Sequence, residues 1–94
     1  MKKIHVKNMI SSNGNSVPNQ FIIKKTVAQG YELYFQSYDS IIACRTPSGK
    51  IRLDKNFWDY SVTTGKYRNQ FLNETKKETE AKIKSGEYKL VDLN

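Results

Sequence analysis

Hydrophobic and polar positions alternate through the first half of the chain and then change period. Ile4, Val6 and Asn8 alternate with Lys3, His5 and Lys7, the pattern of a half-buried strand. A polar loop, Ser11 to Ser16, is ended by Val17-Pro18-Asn19. Gln20 to Thr26 then reads as a second strand, with Phe21 and Ile23 on one face. Ala28-Gln29-Gly30 is a turn, after which Tyr31, Leu33 and Phe35 line one face of a third strand. Glu32, Tyr34 and Gln36 take its other face. Ser37 to Ser40 bends the chain into Ile41-Ile42-Ala43-Cys44-Arg45, an apolar run of the kind buried on both faces. Pro47-Ser48-Gly49-Lys50 hands over to Ile51-Arg52-Leu53, predicting a hairpin between residues 41–45 and 50–53.

After Thr63 the spacing turns helical. Tyr67 and Phe71 lie four apart and predict a short helix over 64–72, capped by Thr63 or Thr64. Thr75-Lys76-Lys77-Glu78 has the form of a capping box, in which each side chain satisfies the other's free backbone N–H. A second helix follows over 76–84, stopped by Gly86 as the left-handed residue. Only Ala81 and Ile83 are apolar in it, so it depends on docking rather than on its own propensity. Glu87 to Leu93 reads as a last strand, with Tyr88 and Leu90 on one side. The expected architecture is α+β: an antiparallel β-meander followed by two short helices and a final strand, in one domain of 94 residues.

Composition narrows the class. At 37% hydrophobic and 12% aromatic the chain has enough apolar side chains to fold. No apolar run approaches the roughly 20 residues a bilayer span needs. Met1-Lys2-Lys3-Ile4 lacks the apolar stretch of a signal peptide. The single cysteine, Cys44, rules out an internal disulfide and suits a reducing compartment. A cytoplasmic protein away from membranes is expected. The net charge of +7 points to an anionic partner, because Lys and Arg that neutralise phosphates release counterions. Solubility alone is the competing explanation. The cations are dispersed, with no run longer than two lysines, and Glu74, Glu78 and Glu80 interleave them in the helical half.

Catalytic constellations are not found. His5, the only histidine, is expected to face solvent, and Cys44 lies in the most apolar run as a small buried hydrophobe. One His and one Cys give no zinc-ligand spacing. Glu32, Asp39, Asp54 and Asp59 are scattered over turns and strand ends, where carboxylates usually cap. Ser48-Gly49-Lys50 and Thr64-Gly65-Lys66 lack the further glycine of a phosphate loop. The protein is expected not to be an enzyme and to need no cofactor.

Binding chemistry is better represented. Phe57-Trp58-Asp59-Tyr60 stands beside Lys66 and Arg68, at the join of the strand-rich and helical halves. Arg45 and Arg52 flank the predicted hairpin. Packed together, these groups form one basic-aromatic face able to stack bases or anchor in a protein pocket. The alternative puts Trp58, Tyr67 and Phe71 in the sheet–helix core, with Lys66 and Arg68 solvated. Tyr60, Lys66, Arg68 and Arg52 are the candidate contacts, with Tyr38 and Trp58 completing the set.

The ordered segments Val17-Pro18-Asn19-Gln20-Phe21, Tyr34-Phe35-Gln36-Ser37-Tyr38-Asp39-Ser40-Ile41-Ile42-Ala43 and Trp58-Asp59-Tyr60-Ser61, with Thr63 to Leu72, carry a resemblance. The chain resembles a family of small proteins, labelled as a domain of unknown function, carried by bacteriophages and mobile elements. That resemblance gives no catalytic residues. It implies an accessory protein of the host-cell cytoplasm that binds and inhibits a host or defence nuclease complex, as anti-CRISPR proteins do. A basic single-stranded nucleic-acid-binding module and a phage structural protein are the alternative expectations.

Overall fold

The computed structural model describes residues 3–94; Met1 and Lys2, part of the segment read above for a signal peptide, lie outside the described residues. Six strands form one sheet in sequence order: β1 (Ile4–Ile10), β2 (Ser16–Val27), β3 (Gly30–Ser37), β4 (Ser40–Arg45), β5 (Ile51–Asp54) and β6 (Lys89–Val91). Helices α1 (Val62–Leu72) and α2 (Lys76–Ser85) connect β5 to β6. The first five strands pair antiparallel as a meander, and β6 adds to β5 in parallel. The α+β architecture is therefore a meander, two helices and a closing strand, as the hydrophobic pattern predicts.

Three boundaries differ from expectation for identifiable reasons. β2 begins at Ser16, because Asn8 Nδ2 donates to the Val17 carbonyl (2.9 Å) and ties the Pro18 segment to β1. α1 begins at Val62, since Ser61 and not a threonine is its N-cap; the Ser61 hydroxyl accepts from Thr64 N–H (3.1 Å). The last strand is only three residues, and Leu93 is held instead by its N–H to Asp54 (2.8 Å). The capping box at Thr75 and the left-handed Gly86 stand as predicted.

One face of the sheet meets the helices. Phe35 stacks on Phe71 of α1 (5.9 Å between centroids), Ser37 hydrogen-bonds Thr64 (2.8 Å), and Arg45 lies over the Phe71 ring. Register puts Ile22, Phe35, Ala43 and Leu53 in one row of this face. A bulge between Phe35 and Gln36 inserts Ile42 opposite β3, so Ile42 and Ala43 both enter the core. Tyr67, Leu72 and Tyr88 close it from the helical side.

A buried carboxylate pins the second helix. Glu74, between the helices, accepts from Lys82 Nζ (2.8 Å), Tyr88 Oη (2.7 Å) and the Thr79 hydroxyl. Burial pushes its carboxyl up, but the hydrogen bonds from Lys82, Thr79 and Tyr88 outweigh that and hold it below its ordinary value. This network gives α2 the docking that its few apolar residues cannot supply.

Candidate functional site

The loop from Lys55 to Ser61 brings the aromatic segment to the start of α1, and a buried arginine shapes it. Arg68 is 1% exposed. Its Nη1 donates to the Trp58 carbonyl (2.7 Å) and to Asp59 Oδ1 (3.3 Å), and its Nη2 to Asn69 Oδ1 (3.0 Å). The guanidinium also lies 5.2 Å from the Trp58 ring. The planar fork reaches three acceptors at once, which a lysine cannot do. Gly65 lies beside the guanidinium, where a Cβ would make only ordinary contact with it, 3.6 Å from Nη2.

Arg68 therefore corrects the expectation of a solvated contact residue: it is an internal clamp that positions others. Trp58 is half-buried and packs against the core, in keeping with the core alternative. Asp59, also paired with Lys76 (2.8 Å), has its carboxyl lowered chiefly by that lysine and further by Arg68.

What the clamp presents is a cluster of exposed side chains. Tyr60 is 63% exposed, braced edge-on by Phe57 (5.7 Å between centroids). Val62, the first residue of α1, is 92% exposed. Tyr38 is 48% exposed in the two-residue turn between β3 and β4. Tyr38, Asp39, Tyr60, Ser61 and Thr63 line a shallow cleft of about 530 Å³. A second depression, lined by Val62 and Lys66 among others, meets the first at Ser61. Beneath them runs a chain of hydroxyls, from Ser61 to Thr64 (3.1 Å) and from Thr64 to Ser37 (2.8 Å).

The Tyr38 backbone is strained. Its φ of 54° lies in the left-handed region, at the first central position of a hairpin turn where glycine is usual. A bulky residue there costs on the order of 1–3 kcal/mol. Its N–H donates to the carbonyl of Asn19 (2.7 Å), itself left-handed, which holds the turn against the sheet.

The candidate residues thus fall into three places. Tyr38 and Tyr60 share one cleft near the start of α1, and Lys66 lines the adjoining depression. Trp58 and Arg68 lie behind them. Arg52 is apart, on the sheet face away from the helices, next to Cys44 and Lys89. The single basic-aromatic face expected from the sequence is divided by the sheet itself. Val62 escaped the sequence reading because a threonine cap was expected; Ser61-Val62-Thr63-Thr64, with a serine three residues before the N–H it caps, was the signal.

Among the described residues no group of three or more His, Cys, Asp or Glu is placed to hold a metal ion. Cys44 is buried and its thiol is pushed up by desolvation, leaving little thiolate for nucleophilic chemistry. Among the described residues no helix is long and apolar enough to cross a membrane.

Neither the curated proteins nor the solved structures hold a significant match to this chain. A family model does match, described as a family of unknown function (DUF8033), over residues 4–87. That span runs from the first strand to the end of the second helix, including the Tyr38 turn and the Tyr60 loop. The chain belongs to this family of unknown function.

Proposed function

We propose that the protein is a non-enzymatic binding protein that docks on a partner protein through Tyr38, Tyr60 and Val62, with Lys66 at the rim. One observation carries the reading: large apolar side chains stand exposed together at the start of α1, on backbone fixed in advance by the Arg68 clamp and the Ser61 cap. Scattered exposed apolar residues are ordinary, whereas a cluster on rigid supports has the form of an interface hot spot. Preorganisation lowers the entropy lost on binding.

The phage and mobile-element resemblance supplies the partner in this reading, a host or defence nuclease complex inhibited by occupancy in the host cytoplasm. The test is co-purification with candidate effector complexes, together with a nuclease assay. Tyr60→Ala combined with Tyr38→Gly is expected to abolish complex formation and inhibition. Glycine relieves the turn, so the variant should fold at least as well as the parent. Undiminished binding and inhibition by the double variant would remove the proposed contact set.

A further inference from the structure

The sheet has a second face that no helix covers. Its side chains alternate with those of the core row, so the register identifies them directly. Val6, Ile23, Tyr34, Cys44, Arg52 and Lys89 pair in sequence across all six strands, one residue from each. The row passes from apolar, through an aromatic and a thiol, to two cations. Phe21 and Ile41 flank it on one side, each paired with Gln36, and Lys25 on the other, paired with Glu32. Val6 is 60% exposed, Phe21, Ile23 and Tyr34 are half-buried, and Cys44 in the middle of the row is buried.

We propose that this face is a docking surface for single-stranded nucleic acid, separate from the Tyr38–Tyr60 cluster. Charge selects the class of partner. Lys50, Arg52 and Lys89 line a groove of about 610 Å³ at the β5–β6 end, and Lys25 stands on the same face as Arg52. Two acids oppose them, Glu32 and Glu87, and Glu32 already accepts from the Tyr34 hydroxyl (3.0 Å). On a second copy seated face to face, the cations of the β5–β6 end would meet either like charges or the apolar β1 end, neither of which neutralises them, so self-association is disfavoured. Cations that follow a backbone beside aromatic rings that stack bases are the two components of single-strand recognition. A duplex keeps its bases stacked inside and offers Tyr34 and Phe21 nothing to stack on.

The experiment is fluorescence anisotropy with labelled mixed-sequence single-stranded DNA and RNA, at several salt concentrations. The three cations of the groove, Lys50, Arg52 and Lys89, predict a log–log salt slope of about −2, from roughly −0.7 per phosphate neutralised on a single strand. Arg52→Gln with Lys89→Gln, both exposed and away from the core, should make the slope shallower by about 1.4. Tyr34→Ala should weaken binding roughly tenfold or more through lost stacking. The Tyr60→Ala, Tyr38→Gly variant should bind normally. Trp58 belongs to the helical side and should keep its emission unchanged. The proposal is overturned if no binding occurs at low salt, or if the Arg52/Lys89 variant keeps the parental slope. Duplex bound as tightly as single strands would also overturn it, as would polyglutamate competing as well as the oligonucleotide. Arg52→Gln with Lys89→Gln keeps the test decisive even if Tyr34→Ala folds poorly.

Discussion

Replacing Arg68 with alanine distinguishes an internal clamp from a surface cation. The side chain is almost wholly enclosed and donates to three acceptors in two segments, the Trp58–Asp59 loop and Asn69. The charged bond to the Trp58 carbonyl contributes about 1.5–3 kcal/mol. The Asp59 contact adds little, because that carboxylate is partly exposed and keeps Lys76; such pairs contribute about 0–1 kcal/mol. Packing lost against the Trp58 ring is of order 1 kcal/mol. The buried Nε has no partner, so its removal returns part of this. The net expectation is a loss of about 3 kcal/mol, or roughly 12–24 °C in Tm for a domain of this size. Urea unfolding followed by Trp58 emission measures it, with Arg52→Ala as the exposed control expected to stay within about 0.5 kcal/mol. Arg68→Lys should recover only part of the loss, since one ammonium cannot reach all three acceptors. An Arg68→Ala protein as stable as the Arg52→Ala control would refute the clamp and restore the solvated arginine of the sequence reading.

The remaining expectations are smaller. Ser61→Ala removes the cap of α1 and one end of the hydroxyl chain under the cleft, and should cost about 1–2 kcal/mol in the same urea assay. Glu74, Asp59 and Asp54 all have carboxyls held below their ordinary values of 4.5, 3.8 and 3.8; for Asp54, burial opposes this but the N–H groups of Leu93, Asn56 and Phe57 prevail. The folded state therefore binds fewer protons than the unfolded one in acid. Stability should be full above those ordinary values and decline as pH falls through the lowered ones, with Glu74→Gln flattening the acid limb of a stability–pH curve. Cys44 should resist iodoacetamide in the native protein and react only as urea exposes it; prompt native labelling would contradict its burial.

Much of this fold is legible from short-range pattern. The hairpins follow from Gly30 and Pro47-Ser48-Gly49, and α2 from its capping box and Gly86, because each signal lies within a few residues of its effect. The fate of Arg68 was not legible. Its enclosure depends on a loop ten residues away folding over it. Similarly, the alternation of Phe21 and Ile23 showed that they share a face. Whether helices cover that face or the opposite one depends on the path from β5 to β6. Tyr38 is a third case: its turn was expected, but a tyrosine in the position that suits glycine gives no signal in the local pattern.

The one parallel pairing is also the one that closes the longest loop. β1 to β5 join through short turns, so each hairpin closes a small loop and can form early. β6 meets β5 only after both helices have been traversed, and that closure carries the largest chain-entropy cost in the sheet. Until it docks, β5 is an open edge with its backbone N–H and C=O groups unpaired, next to the apolar run of β4. Glu74, through Tyr88 just ahead of β6, connects that docking to the packing of α2. Weakening the Glu74–Tyr88 contact should therefore lower native stability and, by lengthening the life of the open-edged form, raise aggregation during refolding.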